Sequence, residues 1–181
     1  MEKKLPGEGG HSIRVAVMSV AVGESLGMGP EELLFLRFAA ELHDIGKLQL
    51  DRELLHKEGD LTNAEREELR MHAVAAMRVI DQIPWLAPSI EMIVRHHESW
   101  DGMGYPDGLM GQEIPLGARI IAVAEAFDML VSDTPWHQAI SEDKALNEIA
   151  RCAGSQFDPD VVTSFQLIQP LIQPLLPTKL K

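Results

Sequence analysis

The stretch His96-His97-Glu98-Ser99-Trp100-Asp101-Gly102-Met103-Gly104-Tyr105-Pro106 joins a histidine pair to a glycine-rich, acidic loop. A second pair, His43-Asp44, stands upstream inside Leu42-His43-Asp44-Ile45-Gly46-Lys47. Imidazole and carboxylate groups are the donors that divalent transition metals take. Two such clusters in one short chain point to metal-dependent hydrolysis rather than to a simple binding module.

Working outward, the metal-ligating candidates are His11, His43, His72, His96 and His97, with Asp44 and Glu125 as the acidic members. Each falls in, or at the end of, a segment that reads as a helix. One metal takes about four to six ligand atoms, so this set serves two metals if a carboxylate or water bridges them. Neighbours on a helix diverge by about 100°, which keeps His43 and Asp44 from pointing the same way. One of them can rim a metal while the other bridges, and His96 and His97 can likewise address two nearby sites. Glu125 stands between Ala124 and Ala126 in an apolar helix, where a buried carboxylate needs a partner. Taken singly, a helical histidine such as His72 is more often a paired or capped group than a ligand; the combination carries the weight. His56 and His137 read as surface or substrate-edge histidines.

The spacing of apolar residues predicts an all-α domain of about six or seven helices. The first runs from about Ser12 to Leu26, with Ile13, Val17, Val20 and Ala21 facing the core. The second starts at Pro30, whose fixed torsion and following Glu31 and Glu32 suit a first turn, and presents Leu34, Phe38, Ala39 and Leu42. Residues 48–61 read as loop or short helical turns. Thr62-x-x-Glu65 is a capping box for a helix over about 63–82, with Leu69, Ala73, Ala76, Met77 and Ile80 inward. A helix over about 89–97 delivers His96 and His97, and 98–114 form the glycine-rich loop. Pro115 opens a helix to about Leu130 on Ile120, Val123 and Phe127. Ser141 caps one reaching Cys152, and Asp158-Pro159 starts a last one to about Leu167. Residues 1–10 read as a flexible leader or linker remnant, 11–168 as the domain, and 169–181 as a tail too rich in proline to continue as a helix.

The 181 residues suffice for one sizeable core, and 45% of them are apolar. With 16 basic against 28 acidic residues the net charge is −12, and no basic stripe suits duplex nucleic acid. A phosphate substrate approaching so acidic a chain needs bound cations to reverse the local sign. Cys152 is the single cysteine, which excludes an intramolecular disulfide and fits a reducing compartment. No secretory signal or apolar span is legible; a cytoplasmic protein without membrane insertion is expected, and a homodimer is compatible with the sequence.

These residues together resemble the HD-GYP family, a subset of the HD metal-dependent phosphohydrolases, over about residues 11–165. His43-Asp44 matches the HD pair. His96-His97-Glu98-x-x-Asp101-Gly102-x-Gly104-Tyr105-Pro106, continued by Asp107-Gly108-Leu109-x-Gly111-x-x-Ile114-Pro115-Leu116-x-Ala118-Arg119-Ile120, matches the GYP signature, and Gly154-x-Gln156-Phe157-Asp158-Pro159 the closing segment. The resemblance implies the compact HD helical fold and hydrolysis of a cyclic dinucleotide, usually cyclic di-GMP, to pGpG or GMP by a metal-bridging hydroxide in line with the departing ribose oxygen. It implies His11, His43, Asp44, His72, His96 and His97 as metal ligands, with Asp44 as the bridge. Lys47 then contacts the scissile phosphate, and Asp128 stands on the substrate side, where it orders water or the lysine. On the residues' own chemistry, Tyr105 and Pro106 can shape the pocket or a regulatory surface, Asp101 can accept from a ligating histidine, and Arg119 can make an ion pair or support the loop.

Three departures bear on function. Glu125 stands where the family has a ligating aspartate. Gly7 stands where members with a third metal carry glutamate, and Glu8 is one residue out of phase, so two metals are expected. Iron or manganese suits the donor set, with nickel or zinc also tolerated by imidazole. On the substrate side, Ser132-Asp133-Thr134-Pro135-Trp136-His137 replaces Ser-Asp-Arg-Pro-Tyr-Arg. Thr134 lacks the bidentate charge of arginine, His137 is only partly charged near neutral pH, and Trp136 keeps an aromatic face for a base. A different phosphoester substrate, or a degenerate signalling module that binds metal or cyclic dinucleotide with little turnover, is the alternative. Regulation is expected from a separate signalling partner or an upstream domain.

Overall fold

The first helix sets the register of the site, because its buried stripe is not the one that simple apolar spacing suggests. In the computed structural model, which describes residues 8–57, 59–133 and 138–175, α1 (Glu8–Ser25) turns Val15, Met18 and Val22 inward and leaves Ile13 half exposed. His11 and Arg14 lie at helical spacing on the same stripe as Val15, Met18 and Val22, so two polar residues take up inward positions and Ile13 is displaced outward. The helix begins at Glu8 rather than near Ser12, so Gly9 and Gly10 continue it. Gly7, and with it the reading on a third metal, lies outside the described residues.

Next come α2 (Pro30–Leu42), a 3-10 turn over Ile45–Gln49, the four-residue α3 (Arg52–Leu55) and α4 (Asn63–Ile80). After them follow α5 (Ala87–Val94), α6 (Leu116–Leu130), α7 (Glu142–Arg151) and α8 (Pro159–Ile172). The eighth helix relative to the expected six or seven is α3, inside the segment read as loop or short turns. No strand occurs among the described residues, and none of their helices is long and apolar enough to cross a membrane. The capping box at Thr62 is formed as expected: Glu65 N–H donates to Thr62 Oγ1 and Thr62 N–H donates to the Glu65 carboxylate.

The core lies between α1, α2, α6 and α8, with Met18, Leu36, Ile120, Phe127 and Phe165 fully buried. α6 is buried on nearly every side, and Ile120, Val123 and Phe127 face the core as expected. Besides Ile13, two expected core positions are exposed instead: Leu34 on α2 and Met77 on α4. On α2 the inward stripe is Leu36, Ala39 and Ala40, one step round from Leu34, because the helix must end with His43 pointing inward. Beyond the expected stop near Leu167, α8 runs through Pro170 to Ile172. Pro170 is on the exposed side of the last turns, where a lost hydrogen bond and ring contact are best tolerated. The helix is held there from within: Ile172 is buried, and Gln169 and Gln173 donate to Glu142 at 3.2 and 2.5 Å.

Gly46 fixes how α2 meets α4. A Cβ at this position would overlap the carbonyl oxygen of His72 and come within 2.8 Å of Ala76 N. Only a bare Cα lets the turn that carries His43, Asp44 and Lys47 lie directly on the helix that carries His72. Overpacking against backbone, which cannot rotate away, costs about 3 kcal/mol at the upper end of the usual range. Gly46→Ala is expected to lower the unfolding free energy by about 3 kcal/mol in urea titration; an unchanged midpoint would show that the two segments are not in rigid contact.

Candidate metal centre

His43 and Asp44 leave the end of α2 in a tight turn and are 0% and 1% exposed. His72 comes from the buried face of α4, and His11 from the start of α1. His96 and His97 follow the end of α5, and Glu125 comes from the middle of α6. The structure gathers all seven. His11, His43, Asp44 and Glu125 form one group and His72, His96 and His97 a second, with the donor atoms of each group within 4.8 Å of one another. The groups adjoin: His43 of the first and His96 of the second lie 5.1 Å apart between ring centroids.

Asp44 joins them. Its Oδ2 is 3.4 Å from His43 Nε2 and its Oδ1 is 3.4 Å from His72 Nε2, so one carboxylate addresses both groups. Lys47, three residues on, donates from Nζ to Asp44 Oδ2 at 2.6 Å. Glu125 Oε1 reaches to 3.9 Å from His43 Nε2, so the extra methylene does not remove it from the group.

The histidines are oriented by a repeated device. In His43, His72 and His96, Nδ1 donates to the carbonyl three residues earlier: Ala40 at 2.8 Å, Leu69 at 2.6 Å and Ile93 at 2.6 Å. A proton fixed on Nδ1 leaves Nε2 with its lone pair outward, the tautomer a metal ligand needs. Nε2 of all three, and Asp44 Oδ1, are buried without a hydrogen-bond partner. Buried polar atoms are rarely left unsatisfied, and four of them converging on one place fit divalent cations. His11 differs, since its Nδ1 pairs with Asp128 Oδ2 at 2.7 Å.

Charge follows burial. Burial pushes His72 and His96 below the ordinary imidazole range, and burial together with His72 pushes His97 down to about 3. These rings are neutral and ready to coordinate. Burial also pushes His43 down, but Asp44 and Glu125 outweigh it and carry His43 up to about 9. Burial raises Asp44, yet His43 and Lys47 hold it well below the usual carboxylate range.

His96 and His97, which the sequence allowed to address two nearby sites, both fall in the donor group of His72. α5 ends at Val94, so the pair stands in a turn and its rings converge to 3.9 Å instead of diverging as on a helix. Asp128, expected toward the substrate, is 2% exposed with both oxygens engaged by His11 and Arg14. Asp101 does not reach a histidine; it is exposed and accepts from Met103 N–H at 3.0 Å. Arg119 makes the expected ion pair, at 2.5 Å to Asp158. Thr134, Trp136 and His137 lie outside the described residues.

Two residues carry weight that sequence reasoning did not assign. Glu98, 4% exposed, accepts backbone N–H groups of Asp107, Gly108 and Leu109 at 2.7, 3.1 and 3.1 Å. It thereby shapes the loop that stacks Tyr105 on His97 at 4.8 Å, with the Arg70 guanidinium 5.1 Å from the Tyr105 ring centre. Arg14 is the other. Its signal is the spacing His11-x-x-Arg14 within an apolar helix, which puts both residues on one face.

A family model described as HD domain matches residues 1–161. The chain is 38% identical over 157 residues to a cyclic di-GMP phosphodiesterase of Thermotoga maritima, covering 86% of this chain and 43% of the relative. It is 36% identical over 160 residues to 3'3'-cGAMP-specific phosphodiesterase 3 of Vibrio cholerae, covering 88% and 35%. The fold matches the crystal structure of a cyclic GMP-AMP specific phosphodiesterase of Vibrio cholerae with a TM-score of 0.72 at 22% identity, over 91% of this chain and 45% of that one. The chain thus spans less than half the length of these relatives.

Before a cation binds, His43 carries a proton up to a pH of about 9, and coordination must expel it. Apparent affinity for Mn2+ is therefore expected to rise by about tenfold per pH unit between pH 7 and 9 and to level off above. Calorimetric titrations in buffers of different ionisation enthalpy count the released protons. A flat profile over that range would mean that His43 either is not a ligand or is already neutral before the cation binds.

Proposed function

The chain belongs to the HD domain family, in its HD-GYP branch, and we propose that it is a metal-dependent phosphodiesterase that opens a cyclic dinucleotide, cyclic di-GMP first, to linear products. The observation that carries this reading is the Asp44 carboxylate, buried between two histidine groups with one oxygen toward each. That arrangement suits a pair of divalent cations, iron or manganese by donor chemistry. Ligands to one are His11, His43 and Glu125, to the other His72, His96 and His97, with Asp44 shared. A bound pair supplies an activated water and a Lewis-acid grip on phosphate oxygen.

The chain's own residues do the rest. Lys47 sits beside Asp44 with its ammonium at 2.6 Å and its side chain 21% exposed, so it can extend toward a phosphate and balance charge that develops there. The stack of Tyr105 on His97, with Arg70 over it, forms a firm wall at the second histidine group. Thr134, Trp136 and His137 are assigned to the substrate side, where Trp136 can stack on a base. Thr134 in place of a charged donor argues for relaxed choice among cyclic dinucleotides, and relatives named for cyclic di-GMP and for 3'3'-cGAMP support testing both.

The test is anaerobic hydrolysis of cyclic di-GMP and 3'3'-cGAMP by protein loaded with iron or manganese, followed by chromatography of products. Linear dinucleotide is expected, and Asp44→Asn is expected to lower the rate by about a thousandfold or more while disturbing both metals. Two metals bound per chain with no cleavage of either substrate would overturn the cyclic-dinucleotide assignment in favour of a different phosphoester substrate or a metal-binding signalling module.

A further inference from the structure

One candidate ligand, His11, is held by a carboxylate rather than by a backbone carbonyl, and the residue responsible lies outside the metal groups. His43, His72 and His96 lean on neutral carbonyls of their own chain segments, whereas His11 leans on the carboxylate of Asp128 at 2.7 Å. Asp128 belongs to α6, three residues after Glu125, so a ligand from α1 is tied to the helix that supplies another ligand of the same group. Arg14 closes the arrangement. Its Nε donates to Asp128 Oδ1 at 2.6 Å and its terminal nitrogen to Oδ2 at 2.8 Å, the oxygen that also serves His11. The side chains of Arg14, Asp128 and His11 are 10%, 3% and 15% exposed.

The packing of α1 along α6 does not call for this network. Val15, Met18 and Val22 already bury themselves against the core that includes Ile120, Val123 and Phe127. A buried ion pair adds little net stability over an apolar pair of similar volume, because desolvation offsets most of the attraction. What a two-point guanidinium–carboxylate contact does supply is direction. It clamps Asp128 so that one oxygen is presented to His11 at a fixed angle. It also leaves that carboxylate a partly neutralised acceptor rather than a competing base.

Resting on the two-metal reading above, we infer that Arg14 is a positioning residue which, through Asp128, aims His11 and tunes the affinity of one metal of the pair, the one shared by His11, His43, Asp44 and Glu125. Among the described residues, Asp128 is engaged by His11 and Arg14 and not by His72, His96 or His97, whose metal shares only Asp44 with this one. Outer partners of metal-binding histidines typically change affinity by about 10- to 100-fold when removed.

The experiment is calorimetric titration of the metal-free chain with Mn2+, with metal analysis after gel filtration and a thermal melt on the same samples. Arg14→Lys keeps the charge but not the two-point grip. The double variant Arg14→Gln with Asp128→Asn removes both charges at once, so that neither is left buried alone. Wild type is expected to bind two Mn2+ per chain. Both variants are expected to bind one with unchanged affinity and the other about 10- to 100-fold more weakly, Arg14→Lys the less affected. Equal weakening of both metals, in step with a lower melting temperature, would mean a purely structural ion pair and overturn the inference. Two unchanged affinities would overturn it as well. Failure of wild type to bind two metals would instead strike the two-metal reading itself, so the two failures are separable.

Discussion

A buried carboxylate placed between two sets of imidazoles governs this molecule. Asp44 is 1% exposed, and a charge there is tolerable only because His43, His72 and Lys47 stand within reach of its two oxygens. Every element that packs around it delivers one of those partners or braces one. The turn after α2 brings Asp44, His43 and Lys47; α4 brings His72; α6 brings Glu125. Gly46 is where this constraint becomes steric, since the Asp44 turn has to touch the backbone of α4 with nothing in between.

Helices suit such a site for a reason rooted in their geometry. A histidine at or just past a helix end finds a carbonyl three residues back, and donating Nδ1–H to it fixes both ring orientation and tautomer without recruiting another side chain. The rings gathered here are largely stripped of water, which keeps His72, His96 and His97 neutral. His43 is the exception because two carboxylates face it. The same burial that makes a metal-free site electrostatically uncomfortable makes it receptive to cations, which reverse the local sign of an otherwise acidic chain.

Much of this was legible in the residues. His43-Asp44 and His96-His97 announced a metal centre by donor type, and Glu125 stood out as a carboxylate in an apolar helix. Thr62 and Glu65 marked the start of α4 because a capping box is a local arrangement of four consecutive residues. Other features escaped because they rest on partners far along the chain. Asp128 looked like a substrate residue until Arg14 and His11, more than a hundred positions away, were found on its oxygens. Glu98 looked like one more member of a motif, yet it organises backbone groups nine to eleven residues ahead.

The sequence by itself determined the all-α class, the places where most helices start, and the identity of all seven metal-ligating candidates, because helix periodicity, capping and donor chemistry are properties of short segments. Tertiary structure alone decided how those seven are divided. Whether His96 and His97 part or converge depends on where α5 stops, and what His11 and Arg14 meet on the buried stripe of α1 depends on Asp128 waiting in α6. Both are outcomes of helices packing against one another at close quarters, where side chains from distant segments compete for the same buried space.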